Sequence, residues 1–253
     1  MRILLTNDDG IHAPGLEVLE AIAREISDDV WVVAPETEQS GMSHSLTLHD
    51  PLRLRQMDEK RYACKGTPTD CVIMGVGHVL DHKPDLILSG VNRGQNIAED
   101  VTYSGTVAGA MEGALLGIRS FALSQSYGWN SKDRVDWSCV EAHGADVVRK
   151  LLKHDLPDQT LLNINFPDCA PDELASITVT SQGRRDQAQL SVNERHDGRG
   201  HPYYWLGFEG RRSDPQDGTD LHAVAHMQVS VTPLKIDLTD RSFLSRLRED
   251  FSH

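Results

Sequence analysis

The chain begins with Met1-Arg2-Ile3-Leu4-Leu5-Thr6-Asn7-Asp8-Asp9-Gly10, and this stretch decides the fold. The apolar run Ile3–Leu5 is bounded by polar residues, which is typical of a strand buried on both faces of a sheet. Asn7–Gly10 then lies just past the carboxyl end of that strand, where ligands bind in open α/β sheets. Adjacent carboxylates at Asp8 and Asp9 repel each other unless a cation or a proton offsets their charge. The alternative is an ordinary turn, in which Asp-Gly forms the bend and Asn7 or Asp8 caps the next helix.

Length and charge narrow the class of protein. The chain has 253 residues, of which 39% are hydrophobic and 25% are charged, and its formal net charge is −13. This length is sufficient for one large domain, or for a domain with an extension. The acidic balance argues against nucleic acid polymers and membranes as partners, because a polyanion requires a basic surface. A small phosphorylated substrate is compatible with this charge if a metal or local dipoles reverse the field at the site.

The cysteines have neither a zinc-binding spacing nor a Cys-x-x-Cys pair, which favours reduced, mostly buried thiols. They are Cys64, Cys71, Cys139 and Cys169. The chain starts directly with a strand and lacks the basic and apolar regions of a signal peptide. No apolar run approaches the roughly 18 residues of a transmembrane helix. We therefore expect a cytoplasmic protein.

Apolar strands alternate with amphipathic helices through the first two thirds of the chain. Leu16–Ser27 has apolar residues at helical spacing and precedes the apolar run Val30–Ala34, so a βαβ unit of a parallel sheet is predicted. Further strands are predicted at Leu86–Leu88, Phe121–Ser124 and Leu161–Phe166, and further helices at Pro68–His78, Val107–Gly117 and Val135–Leu152. Leu46–Cys64 alternates weakly and is interpreted as an inserted β-hairpin.

The character of the chain changes at about Ala170. Ile177–Thr180 and Tyr203–Leu206 are interpreted as the two strands of one long hairpin, separated by the polar stretch Gln182–His201. The aromatic strand carries more apolar surface than an isolated pair of strands can bury, so we expect a symmetric homo-oligomer with this arm between subunits. A helix, a strand and a final helix are predicted at Asp217–His226, Gln228–Thr232 and Arg241–Phe251. The chain is therefore divided into a core, residues 1–170, and an extension, residues 171–253.

Four polar segments are candidates for one rim, because the strands of a parallel sheet end on the same side. They are Asn7–Gly10, Gln39–Gly41, Ser89–Asn96 and Ser104–Thr106. Their carboxylate, hydroxyl and amide oxygens suit a hard cation such as Mg²⁺ or Mn²⁺. Ser104–Thr106 at the start of a helix can hold a phosphate with free backbone N–H groups. A metal next to an anion site indicates phosphoryl chemistry, although each segment alone could also be an ordinary turn or helix cap.

The same segments resemble the SurE family, the stationary-phase survival 5′-nucleotidases. The matching stretches are Thr6–Gly10 with Ala13–Gly15, Ala34-Pro35 with Gln39–Gly41, Gly66–Val72, Ser89–Asn96, Tyr103–Val107, Asn163–Pro167 and Val231–Leu234. They cover nearly the whole chain in order, which makes the resemblance specific. It implies a Rossmann-like, three-layer α/β core with a mostly parallel sheet, followed by a C-terminal β-hairpin and helix extension used in oligomerisation. A departure at His226-Met227 concerns the extension and not the site.

The resemblance also implies an activity and its residues. It implies a divalent-metal-dependent phosphatase that hydrolyses nucleoside 5′-monophosphates, with one Mg or Mn ion per subunit of a homodimer or homotetramer. The metal ligands of the family fall on Asp8, Asp9, Ser40 and Asn92, and its phosphate-side residues on Asn96, Ser104, Gly105 and Thr106. Asp8 or Asp9 is the candidate catalytic base that takes a proton from water. His12 and His44 lie near these loops, but a surface or packing role is preferred for both.

Alternatives stay open at this point. A non-catalytic sensor could use the same loops to hold a nucleotide, although adjacent carboxylates do not help a protein that binds only an anion. Neither Gly-x-Gly-x-x-Gly nor a Walker A pattern occurs in the chain, which argues against an NAD-binding protein and against a P-loop protein. The preferred base, the cleavage of 3′-nucleotides or short polyphosphate, and the choice between dimer and tetramer are left open by the residues.

Overall fold

The apolar runs of the sequence form one continuous sheet in the computed structural model, which describes residues 1–128, 134–185, 190–208 and 214–251. The strands are β1 Arg2–Thr6, β2 Asp29–Pro35, β3 Leu54–Asp58, β4 Arg61–Cys64, β5 Leu86–Arg93, β6 Arg119–Gln125, β7 Thr160–Phe166, β8 Ser176–Val179, β9 Leu190–His196, β10 Pro202–Phe208 and β11 Gln228–Lys235. The helices are α1 Pro14–Arg24, α2 Pro68–Met74, α3 Gly105–Leu115, α4 Ser138–Leu151, α5 Asp220–Ala225 and α6 Arg241–Asp250. None of the described helices has both the length and the apolar character needed to cross a membrane.

The large sheet has the strand order β3-β4-β2-β1-β5-β6-β7-β11-β8. Strands β2, β1, β5, β6 and β7 are parallel neighbours, whereas β11 is antiparallel to β7 and β3 is antiparallel to β4. The predicted fold class, a mostly parallel α/β sheet, is therefore confirmed. The predicted hairpin at Leu46–Cys64 is also present as β3 and β4, and β4 extends the main sheet because it pairs with β2.

Helices cover both faces of the sheet, giving three layers. Successive residues of β1 serve opposite faces: Ile3 and Leu5 pack in the core below α1 and α4, while Leu4 packs in the core below α2. Both cores are fully buried, which agrees with the continuous apolar runs expected of parallel strands. Helix α2 begins with the predicted cap, because Thr67 accepts the N–H of Asp70 and Asp70 accepts the N–H of Thr67 in return.

Helix α3 lies very close to the sheet because its inner face is made of glycine. A Cβ at Gly109 would lie 2.8 Å from Ser89 Oγ, and a Cβ at Gly113 would lie 2.2 Å from Ser120 Oγ. Neither position has room for a side chain, so the helix axis is held against β5 and β6. This brings the amino end of α3 to the carboxyl ends of β1 and β5.

The pairing predicted for the C-terminal part is wrong. Strand β8, which contains Ile177, is the outermost strand of the main sheet and runs parallel to β11. The aromatic strand β10 pairs instead with β9, which lies within the stretch interpreted as a polar connection, and the two form a separate antiparallel hairpin. Strand β9 exposes polar side chains and therefore lacks the apolar alternation that marks a half-buried strand. The division of the chain at residue 170 stays a prediction, although β8 and β11 belong to the core sheet.

Candidate active site at the carboxyl ends of the strands

The turn after β1 is tightly shaped and mostly buried. Asn7 Nδ2 donates to the carbonyl of Gly10 at 2.9 Å, and Gly10 has a φ of +103°, a conformation that favours glycine. Asp8 is only 5% exposed, and its Oδ1 accepts a hydrogen bond of 2.5 Å from the hydroxyl of Thr106. Asn7 Oδ1 is buried without a hydrogen-bond partner. The turn therefore presents two carboxylates and one unpartnered amide oxygen.

Both carboxylates are electrostatically unfavourable in their charged form. Burial raises the pKa of Asp8 above its ordinary value, and the hydrogen bond from Thr106 opposes this only in part. Burial, followed by the charge of Asp8, raises the pKa of Asp9 to about 6. Glu38 adds to both shifts, and Arg93 lowers the pKa of Asp9 less strongly. A site of this kind gains most from a bound cation.

The loop after β2 reaches the same turn through its backbone. Gln39 donates its N–H to the backbone carbonyl of Asp8 at 2.7 Å, so the loop contacts the turn one residue before Ser40. Ser40 is exposed, and its hydroxyl donates to Glu38 at 2.8 Å. Farther along the loop, His44 Nε2 lies 3.0 Å from Glu112 of α3. His44 therefore links the loop to α3, and His12 is exposed. The non-catalytic role preferred for both stays a prediction.

Strand β5 continues farther than predicted, to Arg93, with an irregular register between Ser89 and Asn92. Asn92 is therefore at the end of a strand and not in a loop, and its Nδ2 donates to the carbonyl of Gly94 at 2.8 Å. The next residue, Arg93, donates its N–H to Asp9 Oδ2 at 3.1 Å. The end of β5 thus contacts the carboxylate turn directly.

The amino end of α3 packs against the same turn. Ser104 is the N-cap and accepts the N–H of Val107 at 3.0 Å. A Cβ at Gly105 would lie 2.8 Å from Asp8 Cβ, so only glycine allows this approach. Thr106 was predicted on the phosphate side, and the structure has its hydroxyl on Asp8. Its side chain therefore links the predicted phosphate segment to the predicted metal segment.

Asn96 is held by a clamp that the sequence interpretation missed, formed by Asn163 and Asn165 of β7. Asn165 Oδ1 accepts the Asn96 N–H at 2.8 Å, and the Asn96 carbonyl accepts hydrogen bonds from Asn163 Nδ2 at 2.7 Å and Asn165 Nδ2 at 3.2 Å. Asn96 Nδ2 in turn donates to Ser124 at 2.9 Å. The available signal was two asparagines at alternate positions of an otherwise apolar strand, since a fully buried amide requires partners.

The loop between Asn96 and Ser104 is also held by the C-terminal part of the chain. Arg185 binds Asp100 with two hydrogen bonds, of 3.2 and 2.7 Å, in a pair that is largely shielded from solvent. Buried Asp220 accepts the N–H of Ala98 at 2.9 Å and the N–H of Gly183 at 2.8 Å. The sequence alone does not indicate this pair, because its two residues are 85 positions apart in the chain. Residues after position 170 therefore help to position the predicted phosphate segment.

No three His, Cys, Asp or Glu side chains come together as a metal-binding group among the described residues. A cation at this site would therefore rely on the two carboxylates together with hydroxyl, amide or water oxygens. Asp8, Asp9, Ser40 and Asn92 as the specific ligands stay a prediction.

Comparison with known proteins gives one consistent result. The family model described as Survival protein SurE matches residues 3–189. The chain is 63% identical over 252 residues to a protein of Methylorubrum populi named 5′-nucleotidase SurE, with 99% of each chain covered. It is 59% identical over 250 residues to a protein of the same name from Rhodopseudomonas palustris, with 98% of each covered. The crystal structure of the SurE protein from Aquifex aeolicus matches with a TM-score of 0.85 at 40% identity, covering 98% of this chain and 99% of that one.

Proposed function

Because the chain belongs to the survival protein SurE family, we propose that it is a divalent-metal-dependent 5′-nucleotidase, which hydrolyses nucleoside 5′-monophosphates to nucleoside and phosphate. Relatives that match over nearly their full length carry the name 5′-nucleotidase SurE. The observation that carries the proposal is the close approach of Asp8, one of the adjacent carboxylates Asp8 and Asp9, to the amino end of α3 at Gly105. A cation site and an anion site side by side are what phosphoryl transfer requires.

The residues at this site fit a hard cation. Burial raises the pKa values of Asp8 and Asp9, the charge of Asp8 adds to the shift of Asp9, and Asn7 Oδ1 is a buried oxygen without a partner among the described residues. We assign Asp8, Asp9, Ser40 and Asn92 as ligands of one Mg²⁺ or Mn²⁺ ion per subunit, since all donate oxygen. When bound, the cation would supply the positive charge that activates a water molecule and offsets charge on the phosphate oxygens.

The remaining steps belong to the residues of the chain. Asn96 and the start of α3 at Ser104, Gly105 and Thr106 bind the phosphate oxygens with the help of the helix dipole. The hydroxyl of Thr106 fixes the orientation of Asp8 through its hydrogen bond. Asp9 is less buried than Asp8 and is assigned as the base that takes the proton of the attacking water. The nucleoside leaves from the opposite side of the phosphorus atom.

The proposed assembly is a homo-oligomer, a dimer or a tetramer, formed through the β9–β10 hairpin. Tyr204, Trp205 and Leu206 on β10 are 59%, 64% and 74% exposed, and the hairpin pairs with no other described strand. Such a surface usually marks an interface. A cytoplasmic location is part of the same proposal and is supported by the four free thiols.

A panel of nucleoside monophosphates, assayed for phosphate release with and without a chelator, tests the proposed function. We expect release from 5′-monophosphates, loss of release with chelator, and recovery when Mg²⁺ or Mn²⁺ is added in excess. The competing candidate, a non-catalytic nucleotide sensor, requires binding of the nucleotide without metal and no phosphate release under any condition. That result would reject the enzyme.

A further inference from the structure

A cavity of about 940 Å³ opens beside Asp9, between the amino ends of α1 and α4. Asp9 and Arg93 form the wall nearest the carboxylate turn, and Gly15, Asp136, Trp137 and Glu141 belong to the opposite walls. The volume lies within the range of small-molecule sites and exceeds that of one nucleoside. A molecule whose phosphate is bound next to Asp9 therefore has room to extend the rest of its structure into this cavity.

The aromatic part of the wall is fixed in place. A Cβ at Gly15 would lie 2.0 Å from the carbonyl oxygen of Val91 and 3.0 Å from Cη2 of Trp137. The backbone of α1 is thus pressed against β5 on one side and against the indole on the other. Trp137 is also packed on the core while it lines the cavity. A rigid aromatic side chain at a cavity wall can contact a planar base at low entropic cost.

The polar part of the wall contains the carboxylates of Asp9, Asp136 and Glu141 as hydrogen-bond acceptors, together with the arginines Arg93 and Arg134. Asp136 Oδ1 accepts the N–H of Ser138 at 3.0 Å, and this hydrogen bond lowers the pKa of Asp136 and keeps it charged. Glu141 is exposed on the first turn of α4. Carboxylates accept hydrogen bonds from hydroxyl and amino groups and repel additional phosphates. Ribose hydroxyls have the complementary chemistry.

We propose that this cavity is the nucleoside subsite, in which Trp137 contacts the base and Asp136 and Glu141 accept hydrogen bonds from the ribose hydroxyls. The proposal rests on the proposed function, because it places the leaving group of that reaction. It makes Trp137 a specificity residue: it distinguishes a nucleotide from a small phosphomonoester that has no base.

The test compares two substrates on the same variants. Adenosine 5′-monophosphate and glycerol phosphate are assayed with Trp137→Ala, Trp137→Phe and Trp31→Phe, and the ratio of their kcat/KM values is measured. We expect Trp137→Ala to lower the nucleotide-to-glycerol-phosphate ratio roughly 5- to 150-fold, the range for loss of one base–aromatic contact. Trp137→Phe should keep most of the ratio because it keeps an aromatic ring. Trp31 lies on β2, in the core on the other face of the sheet, and its variant should leave the ratio unchanged.

The outcomes separate this inference from the proposed function. If the parent protein hydrolyses neither substrate, the proposed function is wrong. If it hydrolyses both and the ratio in Trp137→Ala equals that of the parent, the subsite is wrong while the function stands. If Trp137→Ala does not fold, Glu141→Gln carries the test, since Glu141 is exposed. A several-fold weaker inhibition by adenosine in Glu141→Gln supports the subsite, and unchanged inhibition rejects it.

Discussion

The two edges of the parallel sheet treat their carboxylates in opposite ways. At the amino edge, Asp29 accepts hydrogen bonds of 2.8 Å each from Arg2 Nε, Lys60 Nζ and Trp31 Nε1. These partners hold the pKa of Asp29 well below its usual range. At the carboxyl edge, burial raises the pKa of Asp8 and Asp9, and the interactions with Thr106 and Arg93 oppose this only in part.

The difference separates a structural charge from a functional one. Paired Asp29 joins the start of β1 to the start of β2, so its interactions are complete within the folded chain. Asp8 and Asp9 are buried at a free-energy cost that the hydrogen bonds from Thr106 and Arg93 offset only in part, and such groups cluster at functional sites. The same type of side chain, an aspartate, therefore stabilises the fold at the amino edge and requires a ligand at the carboxyl edge.

The largest expected effect comes from neutralising a carboxylate at the carboxyl edge of the sheet. Asp9→Asn should lower phosphatase kcat/KM at least ~100-fold, because one proposed ligand and base is lost. The melting temperature without metal should stay the same or rise, because a buried charge and its repulsion with Asp8 are removed. Phosphate release and thermal unfolding in the presence of a chelator measure the two effects.

The matched control is Asp29→Asn at the amino edge, where the carboxylate is paired. It should lower the melting temperature, because Arg2 and Lys60 lose their partner, and it should leave kcat/KM within about twofold of the parent. Two results would contradict this difference between the edges. One is full activity in Asp9→Asn, and the other is an activity loss in Asp29→Asn as large as that in Asp9→Asn.

A smaller effect is expected from removing part of the clamp on Asn96. In this clamp, polar groups at the carboxyl edge are hydrogen-bonded to other side chains. Asn165→Ala should raise the inhibition constant of inorganic phosphate by about tenfold, because the Asn96 N–H loses its partner and the cost of an unsatisfied buried group is about 1–3 kcal/mol. Metal affinity, measured by calorimetry, should not change, because the clamp holds the phosphate side alone.

Asn163→Ala in the same strand is the control for lost packing. Asn163 and Asn165 are both fully buried. The side-chain amide of Asn163 donates to the Asn96 carbonyl, and without it that carbonyl keeps a second donor in Asn165. We expect only a small change in phosphate inhibition in this variant. Equal effects of the two substitutions would indicate that β7 packing, and not the position of Asn96, determines phosphate affinity.

The sequence predicted the carboxyl edge better than the clamp that supports it. The βαβ core was predictable because Ile3–Leu5 and Val30–Ala34 are continuous apolar runs, whose pattern depends only on burial. The site was predictable because Asp8 and Asp9 directly follow such a run. The role of Asn165 was not, since its partner Asn96 is 69 residues away in the chain and local pattern does not encode that contact.

The hairpin error has the same origin. The pairing of β10 with β9, and not with β8, is a choice among distant segments. Strand register and partner are specified by burial of one face, and an exposed hairpin gives little such information. Val192 on β9 and Tyr204 on β10 are both largely exposed, so the alternation that predicts buried strands is absent there.

The smallest expected effect is a pH dependence of stability that has opposite signs at the two edges. The folded-state pKa of Asp9 is raised to about 6 from 3.8, so its contribution to the stability of the metal-free protein is fully present below about pH 4 and is lost as the pH rises through 6. The pKa of Asp29 is lowered, so its contribution is present above about pH 4 and is lost on acidification.

Melting temperatures of the parent and both Asn variants, measured with chelator from pH 4 to 8, should therefore diverge in opposite directions. Asp9→Asn should exceed the parent by a difference that grows between about pH 4 and 6 and is complete above pH 6, on the order of 2–4 °C per kcal/mol. Asp29→Asn should fall below the parent across this whole range, because the contribution of Asp29 is lost only below about pH 4. Parallel curves for the parent and Asp9→Asn would mean that Asp9 titrates normally and that its charge is already compensated within the fold.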